Sequence, residues 1–92
     1  MSDATNAITS AISSTWAAEF SPAGVRVNTV APGPVYSDGA SPERTEQLGH
    51  TTLIGRAAQV EEIADVIAFV ASDKASYLTG AVIPVDGGRT AV

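Results

Sequence analysis

The stretch that decides the fold runs from Val25 to Ser37 and reads Val-Arg-Val-Asn-Thr-Val-Ala-Pro-Gly-Pro-Val-Tyr-Ser. Its first part, Val25–Ala31, is an apolar run typical of a short β-strand. The strand must end at Pro32, because proline removes a ladder donor and fixes φ. Gly33 allows a sharp turn and the close approach of a flat ligand. Ligands bind at the carboxyl ends of strands in open α/β sheets, so this is either a plain strand-ending turn or a binding loop.

Helical and strand patterns flank this stretch on both sides. Residues 3–20 carry an apolar stripe at helical spacing that ends in Ile12, Trp16 and Phe20. Residues 60–72 form the clearest helix and are apolar over so much of the circumference that burial on more than one side is expected. Residues 82–85 predict a second strand, and a strand-helix-strand crossover is parallel in nearly all cases. We therefore predict an α/β fragment of a doubly wound parallel sheet, with two strands and two main helices.

The region between the first strand and the second main helix is the least regular. Residues 36–56 carry several glycines among polar residues. Ser41-Pro42 is typical of a capped helix start, with proline at the first helical position. The pattern predicts one short helix over residues 42–48 inside a loop of the kind that often acts as a lid.

Composition excludes several classes of function. The 92 residues carry a net charge of −5, and the five basic residues are scattered. The sequence therefore shows no cluster of basic residues of the kind that binds nucleic acid. There is no cysteine, and His50 is the single histidine, so no metal site is predicted. No run is long enough to span a bilayer. The N-terminus lacks the pattern of a signal peptide, and we expect a cytoplasmic protein without membrane partners.

Four stretches, in this order and spacing, resemble the short-chain dehydrogenase/reductase family. The resemblance covers nearly the whole chain, but only the C-terminal part of the family's pattern. It implies that residues 1–92 are a partial Rossmann-like domain in which residues 36–56 are the substrate lid. The stretches are Ala17–Val35, Gly55-Arg56 followed by Glu61–Ala64, Phe69–Asp73 and Thr79–Gly88.

The same resemblance implies a role for the loop after the first strand. In the family, residues similar to Pro32 and Gly33 shape a loop that meets the nicotinamide end of NAD or NADP. The Val35 amide would face the carboxamide of the cofactor. The Ser37 hydroxyl stands where the family has a threonine that also bonds the carboxamide.

Two functional elements of the family are missing from this chain. The eight glycines contain no glycine-rich spacing that cradles a pyrophosphate. The catalytic tyrosine and lysine, four residues apart, would fall at Ser2 and Asn6, which supply neither a phenolic acid nor a positive charge. We therefore predict that the chain has no catalytic residue and binds no NAD or NADP alone.

Three functions remain open at this point. The chain is the C-terminal segment of an NAD(P)-dependent oxidoreductase of alcohols or ketones, inactive in isolation. Alternatively, it is a non-catalytic module that self-associates through helices 3–20 and 60–72 and strand 82–85, since an isolated fragment would expose the apolar stripes of both helices and a strand edge. A third option is a regulatory subunit of a complete dehydrogenase.

Overall fold

A computed structural model describes residues 3–91 of the chain, with side chains from residue 11 onward. Residues Ser21–Ala23, Asp73–Ala75 and Arg89–Ala91 form single turns of 3-10 helix. The predicted α/β architecture with two strands, two main helices and one short helix is confirmed. The elements are α1 (Asp3–Phe20), β1 (Thr29–Pro32), α2 (Pro42–Gly49), α3 (Val60–Ala71) and β2 (Val82–Val85).

The two strands are parallel neighbours, as predicted. The Thr29 amide donates to the Ala81 carbonyl at 2.8 Å, and the Gly33 amide donates to the Val85 carbonyl at 3.0 Å. The constant offset between donor and acceptor numbers is the signature of a parallel ladder.

The first strand is shorter than the sequence predicted, because it begins at Thr29 and not at Val25. The preceding residues are held by side-chain hydrogen bonds and by the Gly80 amide, which donates to the Val27 carbonyl at 2.7 Å. The Asn28 side chain donates to the Leu78 carbonyl at 2.9 Å and accepts from the Ala81 amide at 3.1 Å. The Val27 amide donates to the Thr79 hydroxyl at 3.1 Å. These side-chain bonds satisfy backbone groups that a strand would otherwise pair.

Two compact units make up the chain, one within residues 1–30 and 69–83 and the other within residues 31–68 and 84–92. In the first unit, α1 packs through small residues. Ser13 and Ala17 are buried, and the Ser13 hydroxyl donates to the Ala81 carbonyl at 3.2 Å. A Cβ atom on Gly80 would lie 3.3 Å from the Ala17 Cβ, so this contact depends on small side chains. The single partial domain over residues 1–92 stays a prediction.

Three large apolar residues of each main helix are half-exposed. Burial of α3 on more than one side is not observed, because Ile63 and Val70, the residues of α3 that are buried, lie seven positions apart on one stripe. The exposed apolar residues of the two helices are Ile12, Trp16 and Phe20 in α1 and Val60, Ile67 and Phe69 in α3.

In the second unit, α2 begins where the sequence predicted. The Ser41 hydroxyl caps the helix by accepting from the Arg44 amide at 3.2 Å, and Pro42 is the first helical residue. The helix extends one residue beyond the predicted end, to Gly49, which is buried. No helix in the part of the chain that the structure describes is both long and apolar enough to cross a membrane.

Candidate functional site

The Pro34–Tyr36 segment of the loop after β1 pairs with Ala58. The Tyr36 amide donates to the Ala58 carbonyl at 2.9 Å, and the Ala58 amide donates to the Pro34 carbonyl at 2.9 Å. Val35 and Ala58 thus form an isolated parallel bridge. Because successive amides of an extended chain point in opposite directions, the Val35 N–H points away from Ala58. It donates to no acceptor that the structure describes.

Close packing explains why position 33 is a glycine, and the sequence did not reveal this. A Cβ atom at this position would lie 2.7 Å from both Cα and Cβ of Asp86. Only glycine therefore allows the chain after β2 to approach the end of β1. Pro32 is the last residue of β1 and is exposed.

Ser37 contributes a second polar group near the same loop. Its side chain is exposed and borders a shallow open depression with Tyr36, Asp38 and Val60. Its carbonyl accepts from the Ala40 amide at 3.2 Å, whereas its hydroxyl has no hydrogen-bond partner among the described residues. The loop predicted to meet the nicotinamide therefore carries the Val35 N–H, the Ser37 N–H and the Ser37 hydroxyl without a hydrogen-bond partner among the described residues.

The two positions predicted to replace the catalytic pair give no structural information. Ser2 lies outside the described residues, and so does the side chain of Asn6. Neither of the two tyrosines has a lysine four residues later, since Ala40 and Ala81 occupy those positions.

The ion pair between Arg56 and Glu62 was not predicted from the sequence. The Arg56 guanidinium donates to both carboxylate oxygens of Glu62, at 2.8 and 3.0 Å. The Gln59 amide donates to the same carboxylate at 3.0 Å. The Arg56 hydrogen bond, followed by the Gln59 bond, lowers the pKa of Glu62 to about 2. The three-residue spacing from Gln59 to Glu62 is that of a capping box, although Gln59 stands where the motif has serine or threonine. This spacing could have revealed the bond between the Gln59 amide and Glu62, but no sequence signal reveals the ion pair with Arg56.

A cavity of about 110 Å³ lies beside this ion pair, bordered by Pro34, Ala58 and Asp86 among others. The Asp86 carboxylate accepts from the Thr90 hydroxyl at 2.6 Å, from the Thr90 amide at 3.1 Å and from the Gly88 amide at 3.0 Å. These bonds, led by the Thr90 hydroxyl, lower the pKa of Asp86. Both carboxylates at the cavity are therefore hydrogen-bonded and favoured in the ionised form.

In the part of the chain that the structure describes, no group of three or more histidine, aspartate or glutamate side chains could hold a metal ion. The candidate site is thus the loop of residues 32–37 with its free Val35 amide and Ser37 hydroxyl.

Comparison with known proteins identifies the family. Residues 1–90 match the family model described as enoyl-(acyl carrier protein) reductase. A solved short-chain dehydrogenase family protein from Francisella tularensis superposes with a TM-score of 0.81 at 34% identity, over 95% of this chain and 41% of that one. This chain belongs to the short-chain dehydrogenase/reductase family.

Curated members of the short-chain dehydrogenase/reductase family give the same result. Meso-2,3-butanediol dehydrogenase of Serratia marcescens is 48% identical over 71 residues, covering 74% of this chain and 28% of that protein. The 3-oxoacyl-[acyl-carrier-protein] reductase of Thermotoga maritima is 43% identical over 77 residues, covering 80% of this chain and 31% of that protein. The chain therefore spans about a third of the length of these oxidoreductases.

Proposed function

We propose that this chain forms the nicotinamide-facing, C-terminal part of an NAD(P)-dependent oxidoreductase that acts on an alcohol or a ketone. The observation that carries the proposal is the free Val35 amide, on a loop whose other side is fixed to Ala58. A carboxamide offers a carbonyl acceptor and two N–H donors. A fixed N–H and a nearby hydroxyl complement such a group, and a fixed donor loses little entropy on binding.

We also propose that the chain is inactive alone. One or two neutral hydrogen bonds contribute about 1 kcal/mol each. Association costs at least about 4 kcal/mol in lost translational and rotational freedom. The loop alone therefore does not retain a dinucleotide, and Ser2 and Asn6 do not provide the proton donor and cation that the family uses.

The isolated chain is expected to show no saturable binding of NADH or NADPH in the micromolar range. Cofactor fluorescence measured during titration with the 92-residue protein tests this. Saturable binding, or turnover of any alcohol or ketone by the purified chain, would contradict the proposed inactivity.

The role of the loop is tested in a chimera. The 71 matching residues of the Serratia meso-2,3-butanediol dehydrogenase are replaced by those of this chain, and the KM for the cofactor is measured. Val35→Pro removes the free N–H and is expected to raise this KM about tenfold, which corresponds to the loss of one well-placed hydrogen bond. The matched control Val35→Ala keeps the N–H and should leave the KM within twofold. Equal KM values for Val35→Pro and Val35→Ala would refute the role.

The exposed apolar residues favour a second candidate function, self-association. Ile12, Trp16 and Phe20 lie at helical spacing on α1 and are 44–53% exposed. Strand pairing through β2 is the weaker route. The Ala81 and Val85 carbonyls face β1, so Pro84 lies toward the outer edge, where it removes a donor. We propose that the helices provide the main contact between copies.

The isolated chain is expected to elute as a dimer or larger species at micromolar concentration in size-exclusion chromatography with light scattering. Trp16→Glu should shift it toward monomer, because the variant places a charge on the exposed stripe. Ser14→Glu, at an exposed polar position of the same helix, serves as the control and should not. A wild-type chain that elutes as a monomer would contradict self-association.

A further inference from the structure

The backbone around Val35 pairs with one residue, Ala58. Both hydrogen bonds that fix the Pro34–Tyr36 segment are made with the backbone of Ala58. Whatever holds Ala58 in place therefore sets the direction of the Val35 N–H. Ala58 has a methyl side chain and offers no polar group of its own for this purpose.

The residues on either side of Ala58 are bound to the same ion pair. The Arg56 guanidinium donates to the Ala57 carbonyl at 3.1 Å. The Gln59 amide donates to the Glu62 carboxylate at 3.0 Å, and the Gln59 carbonyl accepts from the Glu62 amide at 3.0 Å. Ala58 is thus held on both sides, through Ala57 by Arg56 and through Gln59 by Glu62.

The pair itself joins the end of the lid to the first turn of α3. Two parallel hydrogen bonds of 2.8 and 3.0 Å give the guanidinium and carboxylate a fixed relative orientation. The side chains are 57% and 44% exposed. An exposed pair contributes little to global stability, so its main effect is local and sensitive to salt.

We propose that Arg56 and Glu62 are positioning residues, which hold Ala58 so that the Val35 amide stays directed at its ligand. The identity of that ligand, the nicotinamide carboxamide, rests on the proposed function. The positioning of the loop is independent of it and can be measured without any cofactor.

Amide hydrogen exchange of the isolated 92-residue chain, followed by NMR, tests the proposal. Arg56→Gln and Glu62→Gln are each expected to lower protection of the Tyr36 and Ala58 amides about two- to fivefold, the range for losing an exposed ion pair. The double variant should show little further loss, because both substitutions remove the same interaction. The Gly80 amide, bonded to the Val27 carbonyl at 2.7 Å in the other unit, should be unaffected.

Two further measurements keep the test independent of folding defects. Sodium chloride at about 1 M, where the Debye length is about 3 Å, should reduce protection at Tyr36 and Ala58 in the wild-type chain. Arg44→Gln, a substitution of an exposed arginine on α2, should have no effect. Unchanged protection at Tyr36 and Ala58 in Arg56→Gln, or an equal loss at Gly80, overturns the proposal.

The chimera separates this inference from the proposed function. There, Arg56→Gln is expected to raise the KM for the cofactor about two- to fivefold, with kcat changed less than twofold. Such a result supports both proposals. A loss of Tyr36 protection with an unchanged cofactor KM supports the positioning of the loop and overturns its assignment to the nicotinamide.

Discussion

Replacing Arg26 with glutamine is expected to lower the free energy of unfolding by about 3 kcal/mol. The half-buried Arg26 guanidinium donates to three backbone carbonyls, those of Val70 at 2.9 Å, Ser72 at 3.1 Å and Leu78 at 3.2 Å. Two of these carbonyls lie at the C-terminus of α3, where the last carbonyls have no partner within the helix. Hydrogen bonds to charged groups contribute about 1.5–3 kcal/mol each, and a cation also favours a helix C-terminus.

Urea unfolding followed by circular dichroism measures this loss. Arg44→Gln is the matched control, because Arg44 is exposed on α2 and its replacement should change stability by less than about 0.5 kcal/mol. Arg26→Lys should recover only part of the loss, since a single ammonium group does not reproduce the fork of donors. An Arg26→Gln variant as stable as Arg44→Gln would show that the three carbonyls do not depend on Arg26.

Arg26 also lies in the stretch where the start of the first strand was predicted wrongly. Val25–Ala31 has the composition of a strand, but Arg26 and Asn28 bind backbone groups of residues 70–81. The ladder therefore begins only at Thr29. Those partners lie more than 40 residues away in the sequence, and no local pattern reveals them.

Helices and the second strand were predictable because their signals are local. The Ser41-Pro42 start fixed the beginning of α2, and apolar periodicity fixed α1 and α3 to within one residue at each end. The buried side of α1 could not be predicted from local sequence signals. Ser13 and Ala17 face the chain because they are small enough to approach Gly80 and Ala81.

The candidate site was predictable only through the family resemblance. Val35 and Ser37 were assigned by position in the family's loop, and their roles toward a cofactor remain predictions. Ala58 could not be found from the sequence, because it acts through its backbone. Gly33 was noted as a turn residue, yet its close approach to Asp86 depends on the pairing of two distant segments.

Gly49 is expected to be the glycine least tolerant of a methyl group, and Gly49→Ala should lower the free energy of unfolding by about 3 kcal/mol. A Cβ atom there would lie 2.3 Å from the Ala57 nitrogen and 2.7 Å from the Arg56 carbonyl carbon. Both are backbone atoms, so no side-chain rotation relieves the clash, and overpacking of this kind costs about 1–3 kcal/mol or more. The gain of up to about 1 kcal/mol in helix propensity does not offset it.

The clash is expected to destabilise the lid, residues 36–56, before the rest of the chain. The Thr52 amide and hydroxyl both donate to the Gly49 carbonyl, at 3.1 and 2.8 Å, so exchange at the Thr52 amide should accelerate in Gly49→Ala together with the loss measured in urea. Gly39→Ala separates steric from backbone effects, because a Cβ there meets nothing within 4 Å although φ is +82°. That control should cost about 1 kcal/mol. If Gly49→Ala proves no less stable than Gly39→Ala, the tight contact between α2 and Ala57 is not a feature of the folded chain.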